Sequence, residues 1–276
     1  MRYFHFIIGA LIFFVSTNLQ ANVLVLVHGY LANPGSWEQS GINASLEAQG
    51  WKRGGLFSNG VAGVQLFETG NKVENTVYVV DLPSEAPVIV QSDFLLSMLK
   101  TIRQKRPDES IIIVGHSAGG VVARMSLIRG GAENVTALIT IASPHVGTTR
   151  ANQALDATNE SGPFGIVKNL FGGSDYDTLK RSRGLLFDLT QPYPGNMLYW
   201  LNNQRHPDIK YISVIRLNPT GLTGDDLVPG FSQDMNNVTA LQGLSSVIVT
   251  PAGHMLVEQD ANTIVSILKS IESASN

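Results

Sequence analysis

Ser117 lies in Gly115-His116-Ser117-Ala118-Gly119, directly after the apolar, β-branched run 111–114 and directly before a stretch of helical spacing. A serine in a G-x-S-x-G segment between strand and helix is held on a sharp turn, where larger neighbours two residues to either side would collide. Gly120 removes further bulk at the start of the helix. Such a turn lets the hydroxyl project alone from a sheet edge, close to the positive end of the following helix. The chemistry on offer is nucleophilic attack through a covalent intermediate. An alcohol does this only when a base removes its proton during attack.

Where a serine sits on such an elbow, an acid and then a histidine follow it along the chain. That order removes His5, His28 and His116 and leaves His145, His206 and His254. His254 belongs to Thr250-Pro251-Ala252-Gly253-His254, a turn between a late apolar run and the last helical stretch, and it is the predicted base. His206 lies in a polar stretch with Asn and Pro and reads as a surface-loop residue, while His145 reads as lining the pocket. The acid must hold the second imidazole nitrogen. Asp225-Asp226 precedes Leu227-Val228-Pro229 and is the predicted source, with either side chain able to turn inward. Asp188 reads as a solvated helix residue and Asp208 as a loop residue. Two N–H donors must face the developing oxyanion, each contributing roughly 10² to 10³ in rate. The expected pair is Ala118 and Tyr30, the latter in His28-Gly29-Tyr30, where Gly29 is expected to let the chain turn. No cofactor or metal is called for by this chemistry.

The elements that must position these residues alternate. Continuous apolar runs at 23–27, 76–80, 111–114, 135–141, 211–215 and 246–249 predict strands buried on both faces, as in a parallel sheet. Between them, Leu95, Met98, Leu99 and Ile102 share one helical face, as do Val121, Met125 and Ile128. Ile264, Ile267, Leu268 and Ile271 do the same near the end. Strand–helix alternation implies right-handed crossovers and an α/β fold with a mainly parallel central sheet flanked by helices. Residues 151–196 break the pattern with Gly162, Gly165, Gly172 and Gly173, and predict either a cap-like insertion or an ordinary irregular excursion. Phe164, Ile166, Val167, Leu170 and Phe171 give that segment apolar content that suits a lipid-facing lid or plain packing on the sheet.

The chain has 276 residues, 43% of them hydrophobic and 15% charged, which fits one large domain with a sizeable core. A net charge of −3 gives no electrostatic footprint for nucleic acid. The basic cluster 103–106 reads as decoration at a helix end. With no cysteine, disulfides, thiolate zinc sites, a cysteine nucleophile and a lipidated cysteine all drop out. Arg2, the apolar run 6–15 and the segment 16–21 read as a signal peptide spanning residues 1–21, with a mature domain over 22–276. Leu19 is larger than the small residue such a cleavage site prefers. Secreted or periplasmic location follows, with an uncleaved membrane anchor as the alternative.

With these residues in hand, the chain resembles the bacterial triacylglycerol lipase and esterase branch of the α/β-hydrolases. The segments that carry the resemblance are 26–30, 114–120, 140–145 and 224–229, with the final Gly253-His254. The resemblance implies the α/β-hydrolase fold, hydrolysis of a carboxylic, lipid-type acyl ester, and transient contact with lipid interfaces. The family's Asn-Asp-Gly-hydrophobic-Val pattern, laid over these residues, puts the acid on Asp225, with Asp226 where glycine is common. Ser143-Pro144-His145 resembles the strand-end segment that shapes the wall beside the nucleophile. Leu256 stands where some relatives place a calcium-binding aspartate, so that site is not carried over. An acyltransferase or phospholipase would use the same three residues. A non-catalytic binding protein on this scaffold is disfavoured by the presence of both Ser117 and His254.

Overall fold

The computed structural model describes residues 22–60, 63–69, 75–158 and 176–273. The expected signal peptide and the apolar residues 164–171 lie outside the described residues. Eight strands form one sheet: β1 (Asn22–Val27), β2 (Lys52–Gly60), β3 (Gly63–Glu68), β4 (Thr76–Val80), β5 (Ser110–His116), β6 (Val135–Ile141), β7 (Lys210–Leu217) and β8 (Ser245–Pro251). Their order is β3-β2-β4-β1-β5-β6-β7-β8. Every neighbouring pair is parallel except the β2–β3 hairpin at one edge. All six predicted strands are present.

The central strands are apolar throughout because helices cover both faces. Val23, Val25 and Val27 join one core with Ile111 and Ile113; Leu24 and Leu26 join the opposite core with Ile112 and Val114. Alternate residues of each strand therefore serve different layers. On the first face lie α3 (Val88–Lys105) and α4 (Ala118–Ser126), whose Leu95, Met98, Leu99, Ile102, Val121 and Met125 are buried as their spacing predicts. The second face is covered by α1 (Ser36–Gln39), α2 (Ile42–Ala48) and α10 (Gln259–Ser273). Each fully buried Leu, Ile or Val contributes about 1.5–3 kcal/mol.

Between β6 and β7 run α5 (Thr149–Ala157), α6 (Tyr176–Arg181), α7 (Arg183–Asp188) and α8 (Met197–Asn202). Ala154, Leu179 and Leu186 form a small satellite core against Tyr30, whereas Leu185 and Leu189 join the main core. The described parts of 151–196 thus pack against Tyr30, in the loop after β1, and against the main core. A short α9 (Gly230–Gln233) follows the β7 loop. Outside the site, Asp188 and Arg106 differ from their expected surroundings. Asp188 is partly buried and accepts the Val88 N–H at 2.8 Å, capping α3 from another element. Arg106 is buried and paired with Glu109 at 2.9 Å, not spread on the surface.

Candidate active site

The chain leaves β1 to build β2, β3 and β4 on one side and then crosses back to place β5 on the other. Such a reversal, at the strands' carboxyl ends, is where open α/β sheets place their sites, because the loops leaving the two strands diverge. Ser117 stands there, between β5 and α4, at φ 52° and ψ −129°. A positive φ is unfavourable for serine and persists because neighbours over-determine it. Ser117 N–H donates to Ile141 O at 2.9 Å, and Ser117 O accepts Gly120 N–H at 3.1 Å. A Cβ on Gly115 would meet Gly120 Cα at 2.6 Å, and one on Gly119 would meet His28 O at 2.4 Å. The elbow is therefore seated backbone against backbone on the end of β1.

Gly29 contributes space and not a turn. A Cβ there would lie 2.8 Å from Ser117 Cβ and 3.3 Å from Ser117 Oγ. The left-handed residue that turns this loop is Leu31, at φ 54°. His28 locks the same loop from below. Its Nε2 accepts Leu82 N–H at 3.1 Å, so the proton sits on Nδ1, which donates to Gly29 O at 3.0 Å. Burial lowers this histidine's pKa, which favours the neutral ring that the pairing requires.

His254 lies on the segment between β8 and α10, with its Nε2 2.9 Å from Ser117 Oγ and its Nδ1 3.0 Å from Asp225 Oδ2. Asp225, and not Asp226, faces the histidine; Asp226 is exposed and only its carbonyl is used, by Arg150 Nε at 2.8 Å. Asp225 Oδ1 accepts the N–H groups of Leu227 and Val228, each at 2.8 Å. Its Oδ2 accepts Gln233 Nε2 at 2.9 Å as well as His254. Burial pushes this carboxyl up, but the His254 hydrogen bond and charge, together with the two backbone donors, outweigh it and hold it below the ordinary value. Gln233 had no signal in the sequence, because a glutamine five residues past a turn is unremarkable until the fold brings it back.

The other two histidines are not part of this group. His145 is fully buried; its Nδ1 accepts Arg124 Nη1 at 3.3 Å and its Nε2–H meets Thr140 Oγ1 at 3.0 Å. It is a core residue behind the wall and not on it. His206 is buried too, contrary to the surface-loop expectation. Its Nε2 accepts Arg124 Nε and Nη2 at 3.2 and 3.1 Å, and its Nδ1–H donates to Gln204 O at 2.8 Å. Asn202 Oδ1 takes another Arg124 bond at 2.9 Å. Two neutral histidines and an asparagine thus solvate a buried guanidinium. Burial first, and Arg124 second, push His206 down to about 4 and His145 well below its ordinary value.

A family model described as PGAP1-like alpha/beta domain matches residues 78–159, the stretch from β4 to α5 that contains the elbow. No curated protein matches the sequence. Among solved structures, the mature Bacillus licheniformis lipase BlEst2 superposes with a TM-score of 0.63 at 14% identity, over 91% of this chain and 93% of that one. An Exiguobacterium antarcticum esterase gives 0.51 at 17% identity, over 91% and 92% of the two chains. Phospholipase PlaB of Legionella pneumophila gives 0.50 at 16% identity, over 77% of this chain and 45% of that one. Identities this low speak for architecture alone. Strand order, elbow and neighbours agree that this chain has the α/β-hydrolase fold, in the form shared with bacterial lipases and esterases.

Proposed function

We propose that this protein is an exported serine hydrolase that cleaves carboxylic esters, of lipid acyl type, with Ser117 as nucleophile, His254 as base and Asp225 as the acid. The observation that carries the reading is the continuous chain from Ser117 Oγ to His254 Nε2 to Asp225 Oδ2, at 2.9 and 3.0 Å, on a strained elbow. Ser117 Oγ attacks the ester carbonyl as His254 Nε2 takes its proton. The carboxylate of Asp225 keeps the second ring proton on Nδ1 and stabilises the imidazolium. The N–H groups of Ala118 and Tyr30 are assigned to the oxyanion. In support, Ala118 opens α4, where first-turn N–H groups have no intrahelical acceptor, and the chain at Gly29 runs beside Ser117 Oγ. His254 then protonates the leaving alcohol, and water, activated by the same ring, releases the acid from the acyl-enzyme.

Fluorophosphonate labelling and initial rates on nitrophenyl esters of two to sixteen acyl carbons test this directly, with Ser117→Ala in parallel. Serine-dependent turnover is expected, and a maximum at long chains would fix the lipid-type substrate. Folded protein that neither labels nor turns over any ester would end the proposal. Among the described residues no helix is long and apolar enough to cross a membrane. Export through cleavage after Ala21 is checked by the N-terminal mass of protein recovered from the medium or periplasm.

A further inference from the structure

His254 sits on the connection between β8 and α10, and around the preceding Gly253 there is open space. A base on such a loop keeps its attack distance only if the backbone on either side of it is held. Three side chains from three different elements do this. His116, at the end of β5 and adjacent to Ser117, is paired through Nε2 with His254 O at 2.9 Å. A carbonyl only accepts, so Nε2 carries the proton and donates. Arg216, on β7, donates from Nη2 to Met255 O at 3.2 Å and from Nη1 to Thr250 Oγ1 at 3.1 Å. Asp260, in the first turn of α10, accepts Val257 N–H at 2.9 Å and holds Arg216 through two bonds of 2.6 and 2.9 Å.

Arg216 also reaches the acid's side of the site through its backbone. Its N–H donates to Gln233 Oε1 at 2.8 Å, and its carbonyl accepts Gly224 N–H at 2.6 Å. Gln233 is the residue that donates to Asp225. Both members of the Arg216–Asp260 pair are almost wholly buried, at 0% and 1% side-chain exposure. A buried ion pair is a poor source of stability compared with apolar residues of similar volume. Its contacts here fall on the two loops that meet at His254, which gives it a geometric use.

We propose that His116, Arg216 and Asp260 are positioning residues that clamp residues 254–257 and so hold the His254 ring between Ser117 and Asp225. This rests on His254 being the base. The clamp grips the loop at three successive points: the carbonyls of His254 and Met255 and the N–H of Val257. Displacement of a catalytic group by about 1 Å costs on the order of a hundredfold in rate. The loss falls on kcat, because the substrate's own contacts are untouched.

The test is kcat per titrated active site, with the concentration of live sites read from a fluorophosphonate burst. The first variant is Arg216→Met combined with Asp260→Leu, which removes two grips while leaving no unpaired buried charge. The second is His116→Leu, compared with His116→Gln, which keeps an N–H donor. Per-site kcat is expected to fall about a hundredfold in the double variant and at least tenfold in His116→Leu. KM should stay within threefold, and His116→Gln should recover most of the loss. The downfield proton resonance of the His254–Asp225 hydrogen bond should broaden or vanish in the impaired variants. A merely structural role would lower the number of live sites and leave per-site kcat at the wild-type value, and that result overturns the clamp. Should the double variant fail to fold, the His116 pair decides alone. Wild-type protein that takes up no fluorophosphonate would refute the hydrolase reading itself, a result separate from wild-type labelling with unaffected variants.

Discussion

Asp225→Asn is the substitution whose effect follows most directly from the hydrogen bonds around the site. The carboxylate receives four of them, two on each oxygen. Leu227 and Val228 N–H groups both point at Oδ1, so the asparagine amide must keep its oxygen there. Its NH2 group then lands at the Oδ2 position and faces Gln233 Nε2, itself a donor locked in place because its Oε1 accepts Arg216 N–H at 2.8 Å. It faces His254 Nδ1 as well, and that nitrogen can meet an NH2 only by giving up its proton. The neutral ring's single proton then sits on Nε2 and points at Ser117 Oγ, so the base arrives already occupied. Loss of the correct tautomer lowers kcat by about 10⁴, equivalent to ~5.5 kcal/mol of barrier. Stopped-flow rates on an activated ester, normalised to titrated sites, measure it. Asp226→Asn, on the exposed neighbour, should stay within about twofold. A loss of less than tenfold in Asp225→Asn would refute the tautomer reasoning, and equal losses in the two variants would refute the choice of acid.

Three further outcomes follow from the strain and the buried titratable groups. Ser117→Gly should be more stable than Ser117→Ala by roughly 1–3 kcal/mol, because only glycine adopts φ 52° without strain; paired thermal melts that coincide would contradict this. Asp188→Asn should stabilise the protein at pH 7 and do nothing at pH 3.5. Burial raises Asp188 from 3.8 to about 6, so the folded state holds its proton where the unfolded chain has lost it, and stability drains away as pH rises through that interval. The gain is about 1–3 kcal/mol after allowance for partial exposure; a loss at pH 7 would mean that the carboxylate's attraction to the α3 N-terminus outweighs its desolvation. The histidines act in the opposite direction. Burial holds His206 at about 4 and His116 at about 3, against 6.5 for an unfolded histidine, so stability is complete above 6.5 and falls as pH drops towards 4. Denaturant titrations from pH 7 to 4 should show that fall, and His206→Gln, which keeps an acceptor for Arg124, should make it shallower; a slope unchanged by the variant would remove His206 from the account.

Much of this protein is legible in its sequence, for reasons of periodicity and local sterics. Buried parallel strands must be apolar on both faces, so runs such as 23–27 and 111–114 announce themselves. An elbow needs its glycines wherever it occurs, so Ser117 is marked by its immediate neighbours. The order of serine, acid and histidine then narrows the expected base to His254, the histidine that the fold brings to 2.9 Å from Ser117 Oγ. The β2–β3 hairpin is not legible in this way because an edge pair that contains Gly54, Gly55, Gly60 and Gly63, with Phe57 its only large side chain fully buried, has too little apolar content to show a period of two.

Only the tertiary structure decides between Asp225 and Asp226, since adjacent residues differ in which way they face and that depends on where Leu227, Val228 and Gln233 come to lie. The same holds for His145 and His206, which are chemically competent in the sequence and are spent on solvating Arg124 in the fold. Arg216 and Asp260 stand 44 residues apart and carry no local pattern, yet they meet wholly buried beside the loop that carries His254. Local conformation is written in neighbouring residues because steric exclusion acts over a few bonds. The pairing of distant polar groups depends instead on how the sheet stacks its strands, and a single strand's sequence does not contain that.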